Sequence, residues 1–398
     1  MEFMHILLML TIILAAAKLL SELSERISQP AVLGELLAGL ILGDSLLRIV
    51  DPHNEILHTL AELGAVLLLF EIGLESDITE LFRVGWRSLW VAIIGVVTPA
   101  VLGFAVSLLL GLPVMPAIFI GATLTATSVG ITARVLKDIG ILRWGESQII
   151  LGAAVADDVI GLLILAVVSG LVQGESLTVW QVGKVLALAL VFLLGALTVG
   201  LKASHILLRI AEQMRARAAL VTAALVFCFL FAALAQVVGL APIVGAFSAG
   251  LVLARTEHRI RITERASAIA DMLVPLFFVV MGAQMNLRAI DITTPAGRSI
   301  IGLAALLIVV AIVGKMASGL AVWRSRLRPW LIGVGMVPRG EVGLIFATIG
   351  LQQKVFDVTV YTAVLVLVMV TTLITPPWLR TLARRYGARA QHPVPEHA

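Results

Sequence analysis

The sequence predicts an all-α integral membrane protein of about 13 transmembrane helices, built as inverted repeats with two crossing broken helices. Three observations carry this expectation. Of 398 residues, 60% are hydrophobic and only 14% charged, whereas soluble proteins carry about 25% charged residues. Mean hydropathy is +1.06, so most of the folded surface must face lipid rather than water. The apolar residues also fall into separate runs close to the roughly 20 residues that cross a bilayer as a helix.

In order, those runs lie at 4–23, 31–49, 57–74, 86–110, 115–136, 147–172, 180–205, 217–238, 241–254, 267–285, 298–323, 330–352 and 359–382. The chain starts MEFMHILLML, which lacks the basic segment of a cleavable leader, so the first run counts as a helix of the protein. The third carries two glutamates, Glu62 and Glu71, and the ninth is short. Between the runs lie short linkers with no room for a soluble domain, and a short cytoplasmic tail follows at 384–398. Cys228, the single cysteine, sits inside an apolar run, which excludes an internal disulfide. Net charge is +4, but the charges sit between apolar runs rather than on one face, which argues against a nucleic-acid partner.

Lysine and arginine placement tests the count. Connections after odd-numbered runs, together with the C-terminal tail, hold 21 of them, including Arg83, Arg143, Arg215, Arg217, Arg255 and Arg326. The even connections and the N-terminus hold 5: Arg48, Lys184, Arg288, Arg298 and Lys354. Cytoplasmic loops are enriched in these residues, so the bias predicts a multi-pass protein of the cell membrane, N-terminus outside and C-terminus cytoplasmic. Lys18 is close enough to the inner end of its run to reach the headgroups. Lys315 and Arg339 are not.

Charge at mid-membrane costs at least about 2.5–3.5 kcal/mol and calls for a reason. Asp157 and Asp158 lie 10 and 11 residues into the sixth run, about 15–17 Å deep at about 1.5 Å per residue. Thr127, Lys315, Arg339 and Glu341 lie at similar depth on three other runs. The fifth run crowds Thr123, Thr125, Thr127, Ser128 and Gly130 at its centre, and the twelfth brackets Arg339 with Pro338 and Gly340. Proline removes a backbone donor and glycine weakens helix, so both runs should be interrupted. Paired broken helices in two halves of a chain point to a transporter site between inverted repeats; the halves would be runs 1–6 and 8–13, although direct repeat similarity is faint. Adjacent aspartates on a helix point about 100° apart, so one can face a cavity while the other pairs with Lys315. A carboxylate there can hold either a proton or a hard cation.

At these residues the chain resembles the monovalent cation:proton antiporter-2 family, closest to its NapA-like sodium/proton branch. The matching stretches are QPAVLGELLAGLILG (29–43), LAELGAVLLLFEIGLE (60–75), ATSVGITARVL (126–136), ILGAAVADDVIGLL (150–163), LAPIVGAFSAGLVL (240–253), VGKMASG (313–319) and VPRGEVGLI (337–345). The resemblance implies an antiporter domain over 1–383 that exchanges a monovalent cation, Na+ or Li+, for protons, with no enzyme activity. It implies a homodimer, with a dimer part at about 1–74 and 217–285, a mobile transport part at about 86–172 and 298–382, a linker helix at about 180–205, and an elevator movement. By the match, Asp158 carries cation and proton, Asp157 pairs with Lys315 and is a second candidate cation ligand, and Thr127 lies at the helix crossing. Ser128, Arg339 and Glu341 would support the breaks. No catalytic residue, cofactor or nucleotide is expected beyond the transported ions. The alternative is a K+/H+ antiporter or Kef-type potassium efflux pathway without its regulatory domain, although Kef-type relatives carry Gln-Asp where this chain has Asp157-Asp158. A channel or a sensor is a more distant reading, the first needing no countertransport and the second an output domain.

Glu71 stands where relatives carry an apolar residue; it reads as a cavity-facing spectator, with tuning of the barrier between domains as the other option. Glu35 and Glu62 read as cavity-mouth or helix-packing residues, and Asp271 as a helix cap or inner-interface charge. None of the 7 histidines lies mid-span, so any pH response should come from carboxylates.

Overall fold

The computed structural model describes residues 2–52, 54–76, 78–173, 179–214, 216, 218–285, 294–325 and 327–390. Arg215, Arg217, Arg288, Arg326, the end of the tail and the side chain of Glu341 lie outside the described residues. The described chain is helical throughout. Its elements are α1 (Glu2–Arg26), α2 (Ala31–Leu42), α3 (Glu55–Glu75), α4 (Ile78–Leu109), α5 (Val114–Thr123), α6 (Val129–Asp138), α7 (Gly145–Gln173) and α8 (Val179–Gln213). There follow α9 (Ala219–Val237), α10 (Pro242–Leu253), α11 (Arg259–Ala283), α12 (Pro295–Met316), a 3-10 turn (Ala317–Val322), α13 (Pro329–Gly335), α14 (Glu341–Gln352) and α15 (Val358–Ala390). Among the described residues, 9 helices are long and apolar enough to cross a membrane, with shorter apolar helices between them.

Every apolar run of the sequence meets a helix, and the fifth and twelfth meet the interrupted pairs α5/α6 and α13/α14. The differences are at the ends. The second run stops at Leu42 rather than 49: Gly43 takes an extended backbone, φ −79° and ψ −161°, and packs where a methyl group would come within 2.5 Å of the Ala283 Cα. The chain then turns, with Arg48 at a φ of 55° and the Ser45 hydroxyl donating to the Met285 carbonyl at 2.5 Å. Several other helices outrun their apolar cores: α4 starts at Ile78, α11 at Arg259, and α15 continues to Ala390, into the segment expected as tail. Backbone hydrogen bonding does not stop where hydrophobicity does; charged ends simply carry the helix onward.

Two groups of helices result. In the first, α3 packs on α10 and α11, α2 on α1 and α11, and α9 on α10. From α1 only one stripe is buried, Met9, Ile13, Ala17, Ser21 and Ser24, at the three- and four-residue spacing of one helix face. Leu8, Leu19 and Leu23 on its other faces stay exposed, as lipid-facing residues would. In the second group α4 packs on α5, α7, α12 and the 3-10 turn, and α15 on α12 and α14.

The first group is held by glycines at helix crossings. A methyl group on Gly39 (α2) would come within 2.0 Å of the Val279 carbonyl oxygen, and one on Gly282 (α11) within 2.2 Å of that of Leu36. The α3·α10 crossing repeats this pattern: Gly250 against the Phe70 carbonyl at 2.2 Å and Gly73 against that of Phe247 at 2.4 Å. Gly34 meets the Leu20 carbonyl and Gly245 that of Phe231, both at 2.2 Å. Small residues allow such backbone approach where apolar burial alone supplies no drive between helices. The equivalence shows in the sequence too: GELLAGLIL at 34–42 matches GAFSAGLVL at 245–253. Sequence likeness between the two halves is therefore plainer in α2 and α10 than in the broken helices, where it is faint.

Gly39→Val should be destabilised by at least about 1–3 kcal/mol, the cost of overpacking a filled site. Gly302→Ala, with open space around the position, should be neutral or stabilised. Thermal unfolding midpoints in detergent read both; a Gly39→Val midpoint equal to that of the parent would contradict the close crossing.

Candidate functional site

The two interruptions face each other. Thr123 and Thr125 turn their hydroxyls back onto the carbonyls of Phe119 and Ala122, at 2.8 and 2.7 Å, which competes with continued helix. Across from them, Pro338 and Gly340 end the pairing of α13. The strands of chain at 124–128 and 336–340 then cross, and the Ser128 N–H donates to the Pro338 carbonyl at 2.8 Å. Gly340 is needed there, since a methyl group would come within 2.6 Å of Ser128 Oγ. The Thr132 hydroxyl donates to the Gly335 carbonyl at 2.7 Å, and that of Thr372 on α15 donates to the Arg339 carbonyl.

Two carbonyls freed by the α5 break are taken by buried cations. Lys315 Nζ donates to the Thr125 carbonyl at 2.5 Å and lies 3.2 Å from Asp157 Oδ2. Arg339 Nη1 donates to the Ala126 carbonyl. Both cations are completely buried. They sit at the C-terminal end of α5, where helix dipoles favour positive charge. Arg339 thus ties its own break to the other one.

Asp157 is buried and Asp158 half-buried. Together with Ala126 and Thr127 they line one wall of a cavity of about 1020 Å³. The Thr127 hydroxyl makes no hydrogen bond among the described residues, and neither does Asp157 Oδ1. The cavity opens past Asp44, Glu62, Gln236, Gln284 and Tyr361, at the start of α3 and the end of α11. His58 stands at this mouth, 3.6 Å from Glu62.

Toward the opposite ends of the helices, outside the lining of this cavity, lie ion pairs. Lys137 of α6 lies 2.5 Å from Glu71 and 3.4 Å from Glu75 on α3. Arg134, also on α6, lies 3.6 Å from Glu35 on α2 and 3.0 Å from Asp138. The Ser267 hydroxyl of α11 donates to Glu71. Glu71 is therefore no cavity-facing spectator. It is buried and joins α3 to α6, because Lys137 comes up beside it from the second half of the broken helix. Glu35 likewise packs on Arg134 rather than at a cavity mouth, whereas Glu62 is at the mouth. Asp271 caps nothing: α11 begins 12 residues earlier, at Arg259, and leaves it exposed mid-helix. Lys18 is exposed on α1. His205 falls inside α8, at the last residue of its apolar run.

Asp157, Asp158, Thr127, Ser128, Lys315 and Arg339 are thus brought together, with only the Glu341 side chain outside the described residues. Arg134, Lys137 and Ser267 were not foreseen as partners. The signal was present in the spacing of Arg134, Lys137 and Asp138, three and four residues apart on one face of α6.

Comparison with known proteins follows the same lines. The sequence model of the family described as sodium/hydrogen exchanger, transmembrane, matches residues 9–385. The chain is 38% identical to the high-affinity Na+/H+ antiporter NhaS3 of Synechocystis, over 98% of this chain and 93% of that one. It is 33% identical to the Na+/H+-K+ antiporter GerN of Bacillus cereus, over 96% of each. Among solved structures it resembles the sodium proton antiporter MjNhaP1 of Methanocaldococcus jannaschii, with a TM-score of 0.65 and 19% identity across 98% of both chains. That last likeness is one of fold.

Lys315→Ala should cost about 3–5 kcal/mol of stability, because it strands the buried Asp157 carboxylate. Lys315→Met combined with Asp157→Leu should recover most of that loss. Unfolding midpoints of Lys315→Met, Asp157→Leu and the double variant form the test; strictly additive losses would refute the pairing.

Proposed function

This chain belongs to the sodium/hydrogen exchanger family, and from that premise we propose that it is an antiporter exchanging Na+, with Li+ as a substitute, for protons. The carrying observation is that Asp158 faces the cavity while Asp157, one residue away, is held by Lys315. Competition of cation and proton for the Asp158 carboxylate is the minimal exchange reaction. The Thr127 hydroxyl, unengaged on the same wall, supplies a neutral oxygen to a bound cation. Asp157 is the second candidate ligand through its unpaired Oδ1. Sodium is a hard cation and suits an all-oxygen set.

In this proposal the roles follow the division in packing. α1–α3 and α9–α11 would form the dimer part of a homodimer, α4–α7 and α12–α15 the transport part, and α8 the link between them. The cavity opens toward the face that the charge bias makes the outside, on the reading that the N-terminus is outside and the C-terminus in the cytoplasm. Access from the cytoplasm then requires α6 to leave α2 and α3, breaking the pairs of Lys137 and Arg134. An elevator movement of the transport part does this without disturbing the broken-helix crossing. A potassium-coupled cycle is the second reading, favoured by the relative named as a Na+/H+-K+ antiporter.

Asp158→Ala should abolish cation-driven proton flux in proteoliposomes while leaving a folded protein, because it removes the carboxylate for which the ions compete. Flux should be titrated with sodium, lithium and potassium in turn. Sustained flux in the variant would remove the assignment, and a response to potassium alone would move it to the second reading.

The cycle should be electrogenic, with two protons moving for one cation. In the proton-loaded form Asp158 is protonated and Lys315⁺ neutralises Asp157⁻. When cation binds, Asp158 and Lys315 each release a proton, and the site becomes one unit more negative. One charge per cycle couples transport to the membrane at about 2.3 kcal/mol per 100 mV. Cation-jump currents on a solid-supported membrane measure this directly. Absence of net charge movement in the parent protein would instead favour a one-for-one cycle with the Asp157–Lys315 pair silent.

A further inference from the structure

A second recess, of about 670 Å³, lies near the ion pairs of Glu75, away from the aspartate cavity. Arg83, Arg87, Arg143, Arg255 and Arg259 all line it, and Glu75 is the one carboxylate among its described lining residues. Glu75 is already engaged, its side chain by Lys137 at 3.4 Å and its carbonyl by Arg259 Nη2 at 3.3 Å. Arg87, Arg143 and Arg255 are exposed and make no ion pair among the described residues.

The excess of basic residues in cytoplasmic connections explains why arginines are on this side. It does not explain why five share one recess, where their mutual repulsion opposes the compact arrangement. An anion between them removes that repulsion. All five are arginines, whose planar five-donor fork matches phosphate oxygens in pairs as an ammonium cannot. The walls also come from both helix groups: Glu75, Arg255 and Arg259 from the ends of α3, α10 and α11, and Arg83, Arg87 and Arg143 from α4 and the turn before α7.

We propose that this recess is a binding site for a phosphate-bearing anion, which spans the two helix groups when bound. The same chemistry is offered by the headgroup of an anionic phospholipid and by a free polyphosphate. The site rests on this geometry and not on the exchange reaction.

Two arms separate the sources. In the first, the full chain in phosphatidylcholine nanodiscs is titrated calorimetrically with sodium pyrophosphate at constant ionic strength. In the second, the delipidated chain in neutral detergent is offered equal phosphatidylglycerol and phosphatidylcholine, and retained lipid is counted by native mass spectrometry. The parent should bind saturably in at least one arm. Each of Arg87→Gln, Arg143→Gln and Arg255→Gln should weaken that binding about tenfold or more, the loss expected for a charge-assisted hydrogen bond. Arg261→Gln, exposed on α11 outside the recess, should leave it unchanged. A response confined to one arm identifies the source. Unfolding midpoints without ligand establish that the variants are folded. No saturable binding in either arm, or equal weakening by Arg261→Gln, would overturn the site.

Discussion

Two helices interrupted inside an apolar interior leave backbone carbonyls and amides with no water to turn to, and the architecture answers to that constraint. Each unsatisfied group would cost several kcal/mol in a hydrocarbon setting. The crossing satisfies one pair by backbone contact, Ser128 to Pro338, and others through Thr132 and Thr372. The Thr125 and Ala126 carbonyls are left to Lys315 and Arg339. Once those cations are buried, a carboxylate must balance them, and Asp157 does so for Lys315. The charged site is thus a consequence of the broken helices as much as their purpose. Asp158 is the group left facing the cavity.

The same argument separates the roles of neighbouring residues. Arg339 satisfies backbone and holds the two breaks together, so its loss would be felt first as loss of structure. Lys315 does this and also faces Asp157, so it belongs both to the scaffold and to the charge balance. Thr127, with its hydroxyl unengaged at the cavity wall, belongs to neither network.

Much of this was legible in the sequence. Hydropathy gave the helices, because lipid imposes a length of apolar chain that nothing else requires. Pro338, Gly340 and the crowded threonines mark the breaks, and equal depth along the chain already groups Asp157, Asp158, Lys315 and Arg339. What escaped notice depended on rotation about a helix axis. Glu71 was placed on a helix correctly, but its face was not; that it meets Lys137 follows only from how α6 leans on α3. Sequence likeness between the halves is faint in the polar site, where carboxylates stand in α7 and cations in α12 and at the α13/α14 break. It survives in Gly34 and Gly39 against Gly245 and Gly250, where contact rather than chemistry sets the residue. Helix ends were missed wherever charge continued a helix beyond its apolar stretch.

The glycine crossings have a mechanical consequence. A carbonyl oxygen seated where a side chain would stand leaves no slack, so α10 cannot slide along α3, nor α11 along α2, without backbone passing through backbone. The joint between α6 and its neighbours is of another kind. There the link is made by long side chains, Lys137 and Arg134, whose rotatable bonds absorb displacement and whose charges can be rehydrated at the surface. Load applied across the molecule is therefore carried by the first group as a rigid block and taken up as strain at the second joint, as in a bearing whose housing is stiffer than its seal.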